Sequence, residues 1–365
     1  MKNTFGMSVS ITLFGESHGE CIGAVLDGLA PGIYIDTDYI EKKLTERRPK
    51  GEISTARVEK DNYRIVSGVF GGYTTGTPLT IIIENENTKS HNYEKQSVIP
   101  RPSHADYSAY AKYHGFEDYR GGGHFSGRIT AALVAVGAIL SSALENKGIY
   151  IGTHIKELHG VSDRGFNDYE ADIKALSNKD FPTLCDDASE QMKNEITKAK
   201  ANGDSVGGIL ESAIIGIPAG VGEPWFDSME SVISHMLFSI GGIKGVEFGS
   251  GFDFANMYGS EANDAFVMKD GVVTTRTNHN GGINGGITNG MPILLRSAVK
   301  PTPSIFKEQD SINLKTGENE KLVIEGRHDP AIIHRVKTVV DAVLSIAVAD
   351  MLTVRFGTDY LKTDK

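Results

Sequence analysis

In Gly15-Glu16-Ser17-His18-Gly19-Glu20-Cys21-Ile22-Gly23-Ala24-Val25-Leu26-Asp27-Gly28-Leu29-Ala30-Pro31-Gly32 a hydroxyl and an imidazole stand between glycines, just ahead of a short apolar run that ends at a Gly/Pro turn. Residues 15–19 match the G-x-S-x-G pattern of a hydrolase nucleophile elbow, but that elbow must run from a strand into a helix. Residues 21–26 instead alternate and break at glycines, as a strand does. A serine hydrolase is therefore disfavoured, and Ser17 and His18 stand at an exposed backbone corner. From these residues alone the corner is open to two readings, a functional site or a hydrogen-bonded structural turn.

Three further segments share this texture. Tyr119-Arg120-Gly121-Gly122-Gly123-His124-Phe125-Ser126-Gly127-Arg128 opens directly into an apolar, alanine-rich helical pattern over residues 129–144. Consecutive glycines let backbone N–H groups approach an anion closely, and a helix N-terminus adds its positive end. A phosphate or carboxylate site is the functional reading, and a tight packing turn the structural one. Glu325-Gly326-Arg327-His328-Asp329-Pro330 precedes another long helical pattern, and Lys300-Pro301-Thr302-Pro303-Ser304 forms a proline-locked turn.

The chain has 365 residues, 39% of them hydrophobic, and shows no linker, low-complexity run or repeat, so one domain over residues 1–365 is expected. Its net charge of -10 disfavours a general nucleic-acid-binding surface, so an anionic ligand must be met locally. Arg47, Arg48, Lys50, Arg57, Arg101, Arg120 and Arg128 gather in the first 130 positions. A solvated charged face is open to them, but guanidinium forks flanked by Pro and Gly suit bidentate recognition of carboxylate and phosphate. Cys21 and Cys185 are too few for a disulfide framework or a four-ligand zinc site, so no metal centre is expected and a reducing, cytoplasmic setting is. Residues 1–6 lack an apolar signal core. The run 129–144 is short for a bilayer span and reads as a core helix, giving no membrane attachment.

Strand patterns occupy residues 8–13, 21–26, 63–69 and 79–84, with a charged helix at 38–47. Helical patterns follow at 106–112 and 129–144, an exposed helix at 191–201, a strand at 208–217, a helix at 226–240 and strand character again at 286–295. Over residues 332–351 Ile332, Val336, Val339, Val340, Val343, Ile346 and Ala347 recur at helical spacing, leaving Arg335, Lys337 and Asp341 for an outer face. The class is α/β (α+β), with neither a Rossmann fingerprint nor a P-loop.

In order, GESHGxxIGxxxDGxxPG, RGGGxxSxR, KPTxS and GRHDP resemble the chorismate synthase family from residue 14 to about residue 350. Arg47-Arg48-Pro49, Arg101-Pro102-Ser103-His104-Ala105-Asp106, Gly220-Val221-Gly222-Glu223-Pro224 and residues 278–286 extend the resemblance. It implies a β-α-β sandwich with sheets enclosing a helical layer, a homotetramer, and conversion of 5-enolpyruvylshikimate 3-phosphate to chorismate and phosphate, the last step of the shikimate pathway. That reaction is a 1,4-anti elimination requiring reduced FMN without net redox change. Rival classes are an ordinary flavin oxidoreductase and a phosphoester-binding protein without catalysis.

By the same resemblance His18 is the acid near the leaving phosphate, His104 serves flavin protonation, and Asp329 assists loss of the ring proton. The flavin set is His124, Phe125, Ser126, Gly241, Gly242, Gly285, Lys300, Pro301, Thr302, Pro303, Ser304 and Arg327. Ser17, Arg47, Arg48 and Arg128 fall to the substrate's phosphate and carboxylates. Two departures stand out: His124-Phe125-Ser126 replaces the Arg-Ser-Ser of many members, and Glu52 falls near a basic position that some members associate with NADPH. Arg47 alone then carries over to NADPH, and an external flavin reductase is the expected partner.

Overall fold

The computed structural model describes residues 2–49, 51, 53–54, 60–86, 98–324 and 328–363. The chain opens with β1 (Thr4–Phe5), β2 (Ser10–Gly15) and β3 (Cys21–Asp27), then helix α1 (Thr37–Arg47), whose first turn is capped by the Asp36 side chain. Strand β4 (Tyr63–Ser67), a small hairpin of β5 (Val69–Phe70) and β6 (Tyr73–Thr74), and β7 (Leu79–Glu84) follow. The five longer-range strands form an antiparallel sheet in the order β1-β2-β3-β7-β4. Alternation explains its inner face. Ile22, Ala24 and Leu26 of β3 lie opposite Ile83, Ile81 and Leu79 of β7, and all six are completely buried.

Next come α2 (Asp106–Tyr113), two short 3₁₀ segments (Arg120–Phe125 and Gly127–Ile129), α3 (Thr130–Glu145), β8 (Tyr150–Leu158), β9 (Val161–Ser162), α4 (Tyr169–Leu176) and α5 (Asp186–Ala201). The chain continues through β10 (Gly208–Ile215), α6 (Met229–Ser239), β11 (Ile243–Phe248), α7 (Gly259–Ala262) and a hairpin of β12 (Phe266–Lys269) and β13 (Val272–Thr275). It closes with β14 (Ile283–Asn284), β15 (Ile287–Thr288), β16 (Ile293–Val299), β17 (Gln309–Ile312), β18 (Asn319–Leu322) and α8 (Ile333–Phe356). The second sheet runs β11-β16-β10-β8-β9, again antiparallel throughout.

Helix α3 packs on β3 and β7 of the first sheet and on α8, which packs on β8 and β10 of the second. The helical layer between two sheets is therefore the expected sandwich, at the α+β end of its class because neither sheet has a parallel pair. At the α3–α8 crossing a Cβ on Gly137 would lie 2.5 Å from that of Ala342, so these two small residues let the helices touch. Asp350, fully buried on α8, accepts hydrogen bonds from the backbone N–H groups of Met7, Ser8 and Val9 at 2.7–3.1 Å, fastening the β1–β2 turn to the helix layer.

Several sequence expectations need correction. Lys337 and Asp341 do not face solvent: they are 6% and 7% exposed and pair with each other at 2.8 Å, with Lys337 also 3.8 Å from Glu46 of α1. Arg335 is mostly covered and bonds Asp329. Because most of α8 lies inside the sandwich, its buried charges are kept by ion pairing or, at Asp350, by backbone N–H groups. The helix at 191–201 begins at Asp186 and buries Ala188, Met192 and Ile196 along one stripe. The strand expected at 286–295 is a β14–β15 hairpin followed by β16, the strand at 63–69 breaks at Gly68, and the helix at 226–240 starts at Met229. Finally, residues 127–145 form a run 19 residues long, enough by length and composition to cross a bilayer. Its burial between the sheets, not its length, makes it a core helix.

Candidate active site

Ser17 and His18 lie on the turn between β2 and β3, which is strand-turn-strand, and both are buried, at 3% and 6% exposure. The exposed corner expected from sequence is instead covered by the triple-glycine turn. The Ser17 N–H donates to the Gly123 carbonyl at 3.2 Å, and the Ser17 hydroxyl reaches the carbonyls of Arg120 and Gly121 at 3.1 and 3.3 Å. A hydroxyl has one proton. With it directed at those carbonyls, the 2.9 Å contact from Ser17 Oγ to His18 Nδ1 is made with Nδ1–H donating. Ser17 is thus an orienter of His18 and not an activated nucleophile.

Gly121, Gly122 and Gly123 take φ of 60°, 86° and 53°, all in the left-handed region. A Cβ on Gly121 would collide with His18 Cε1 and Nδ1, while one on Gly122 would sit 3.4 Å from His104 Cε1 and 3.7 Å from its Nε2. The glycine turn therefore has one histidine against each of two neighbouring glycines. Gly121→Ala is expected to displace the His18 ring and to strain the backbone by about 1–2 kcal/mol. Circular dichroism should show a folded protein and turnover should fall at least tenfold; wild-type turnover in that variant would mean His18 has no role.

On the His104 side, Nδ1 lies 2.5 Å from Asp106 Oδ1, and Arg101 grips the same carboxylate through Nε and Nη2, each at 2.8 Å. Burial pushes Asp106 up, yet the hydrogen bonds from Arg101 and His104 outweigh it and hold the carboxyl well below its usual range. A carboxylate that stays ionised keeps Nδ1 protonated and presents Nε2 toward Gly122. Arg101 also reaches Ser304 Oγ at 3.5 Å. The Lys300 ammonium donates to the Ser103 carbonyl at 2.5 Å, and the Lys300 N–H to the Gly242 carbonyl at 2.9 Å. Partial burial and nearby Lys244 push Lys300 down from its ordinary value. Gly242, Lys300, Ser304, Arg101, His104 and Gly122 are thereby one connected cluster.

Two observations fit a bound polar, planar group here. Thr302 Oγ1 is buried without a hydrogen-bond partner, and a Cβ at Gly241 would meet nothing within 4 Å. Pro301 borders Gly207, and Pro303 is half-buried in the same turn. His124 is tied to the first sheet by a 2.8 Å contact from Nδ1 to the Gly15 carbonyl, and Ser126 Oγ accepts from the Arg128 N–H at 3.3 Å. Phe125 leans on Tyr113 at 6.2 Å and is 44% exposed. With His124 and Gly122 it lines a cavity of about 340 Å³ walled by α2 and β2. Gly285 is not brought into the cluster by any contact among the described residues. It lies beyond the N-terminal end of α6, and Gly241 follows the C-terminal end, about 16 Å away along the helix. Arg327 and Glu52 lie outside the described residues.

The arginines converge on a residue that sequence patterns did not single out. Asp61, with a side chain 1% exposed, accepts from Arg128 Nη1 on one oxygen, while Arg47 Nη1 (3.4 Å) and Arg48 Nε (3.7 Å) approach the other. Asn85 is a second such residue: its amide donates to the carbonyls of Glu16 and Gly19, both at 2.9 Å, and its oxygen accepts from Arg128 Nε at 3.1 Å. It ties the His18 turn to the arginines. Asp329, 9% exposed, is held by Arg335 Nη1 at 2.5 Å, and Arg335 Nε donates to the Arg47 carbonyl at 3.1 Å. His328 packs on Phe306 at 5.4 Å, just past the proline turn. Asp329 therefore sits between the arginine group and the Lys300–Ser304 turn. A lone Asp or Asn carries no pattern of its own, and only the fold brings these two to the arginines.

Comparison with known proteins bears on this arrangement. The family model for chorismate synthase matches residues 9–353. A chorismate synthase of Pyrococcus abyssi is 43% identical over 351 residues, covering 96% of this chain and 97% of its own length. One from Chitinophaga pinensis is 45% identical over 350 residues, covering 96% of each. A crystal structure of chorismate synthase superposes with a TM-score of 0.77 at 26% identity, covering 98% of this chain and 96% of that one.

Proposed function

This chain belongs to the chorismate synthase family, enzymes of the lyase class that serve the shikimate pathway, and on that premise we propose that it converts 5-enolpyruvylshikimate 3-phosphate to chorismate and phosphate by 1,4-anti elimination. The observation that carries the reading is the glycine turn: an imidazole against each of two neighbouring glycines, with three arginines gathered nearby. Arg47, Arg48 and Arg128 receive the substrate's phosphate and carboxylates as guanidinium forks do. His18, its Nδ1 proton committed to Ser17, acts as the imidazolium and gives its Nε2 proton to the departing phosphate oxygen, leaving the neutral Nδ1–H ring. His104, with Nδ1 held by Asp106, keeps or releases a proton at Nε2. Asp329, fixed by Arg335, assists loss of the ring proton.

The family uses a reduced flavin, and the residues that would hold FMN here are Lys300–Ser304, Gly241, Gly242 and His124–Ser126, with Thr302 Oγ1 the unsatisfied group that a polar edge would meet. When bound, reduced FMN supplies the electron density that promotes departure of phosphate, which no strong base among these side chains provides. The homotetramer is what the family resemblance implies; the exposed side chains of Trp225, Phe226, Phe252, Tyr258, Phe266 and Met268 support association with other copies, without fixing their number. A cytoplasmic protein without nucleic-acid or membrane partners completes the reading.

The direct test is an anaerobic assay with pre-reduced FMN, in which chorismate and phosphate appear in equal amounts. A protein that binds the phosphoester and releases nothing would be the non-catalytic binder instead. A separate reductase is the expected flavin donor: NADPH and oxidised FMN alone, in air, should give no sustained turnover. Sustained turnover under those conditions would assign the reductase activity to this chain.

A further inference from the structure

We propose that Asp61 is a positioning residue for the substrate's anionic groups, one buried carboxylate shared between Arg47 and Arg128 that sets the spacing and aim of the two guanidinium forks. The inference rests on reading those arginines as substrate-binding. Each fork also has partners of its own. Arg47 bonds Thr130 Oγ1 through Nε (2.9 Å) and the Gly127 carbonyl through Nη2 (2.6 Å), while Arg128 bonds Asn85 and the Glu84 carbonyl. Asp61 touches both, one on each carboxylate oxygen, and so fixes one fork relative to the other. The two come from different elements, the last residue of α1 and the 3₁₀ segment before α3; Arg47 already reaches that segment's backbone at Gly127, and Asp61 adds a link between the two guanidinium groups themselves.

Charge matters as well as shape. Two guanidiniums brought together repel each other, and the carboxylate between them offsets that repulsion where little water reaches. Asp61 also keeps a left-handed backbone (φ 50°), a region that short Asp and Asn side chains tolerate. Asp61→Asn therefore retains the backbone and the volume while replacing one acceptor oxygen by an amide that faces a guanidinium with donors of its own.

The kinetic signature follows from that difference. Without the internal carboxylate the forks stay as attractive to an anion but lose their mutual aim, and misplacement on the order of 1 Å costs up to about 10²-fold in the chemical step. For Asp61→Asn the expected result is a kcat roughly 10- to 100-fold lower, with KM for 5-enolpyruvylshikimate 3-phosphate no higher than about twice wild type. Arg128→Ala should instead raise KM. A structural role alone would lower the melting temperature and leave kcat per folded molecule unchanged, so both are measured on one preparation. Unchanged kcat, or a raised KM with kcat intact, would overturn the inference. If the Asn variant does not fold, Asp61→Glu, which keeps the charge but moves it by one methylene, takes its place: reduced kcat supports the proposal and full kcat overturns it. A wild-type chain inactive on this substrate sinks the functional reading, whereas an active wild type with an unaffected variant sinks the inference alone.

Discussion

Replacing His18 by alanine is expected to lower turnover roughly 10²- to 10³-fold while the protein stays folded, and His104→Ala should do the same, the scale of a lost general acid or base. The two losses have separate origins. His18, against Gly121, is oriented by the Ser17 hydroxyl, and His104, against Gly122, by the ionised Asp106. His18 packs on a glycine turn, and His104 belongs to the loop before α2. Steady-state kinetics with reduced FMN, read alongside circular dichroism, check this; turnover within about threefold of wild type in both variants would remove the histidines from the mechanism.

Arg128→Ala carries the second large effect, because it acts on stability and on binding together. Its guanidinium and the Asp61 carboxylate are 6% and 1% exposed, and removing one partner of a buried pair typically costs about 3–5 kcal/mol by stranding the other charge. Arg47 and Arg48 remain beside Asp61, which places the stability loss at the lower end of that range. Substrate affinity should fall by about 1.5–3 kcal/mol as a charge-assisted contact goes unmade. Denaturant unfolding and calorimetric titration measure the two separately. Unchanged affinity in a destabilised protein would leave Arg128 a structural residue and take it out of the substrate site.

Much of this site was legible in the sequence because glycine writes its reasons into the chain. The Gly15–Gly19 corner and the three glycines at 121–123 announce close backbone approach, and the structure brings the two together with His18 between them. The alternation of Ile22, Ala24 and Leu26 likewise shows which face of β3 is inner. Sheet order was not legible, since β3 pairs with β7 across a helix and three intervening strands, a non-local choice that no window of sequence displays. Lys337 and Asp341 misled for a related reason. Periodicity reports a helix's apolar stripe but not whether its polar flank is covered by α1. Asp61 and Asn85 escaped notice because their significance lies wholly in the arginine and backbone groups that folding delivers to them.

At the centre of the proposed mechanism is an elimination that needs a reduced flavin yet consumes none. Following flavin absorbance and phosphate release together in one anaerobic cuvette tests it most directly. The predicted result is many phosphates released per FMN with the reduced spectrum restored at the end, and none with oxidised FMN. One flavin oxidised per phosphate, or release of phosphate with the oxidised cofactor, would contradict it.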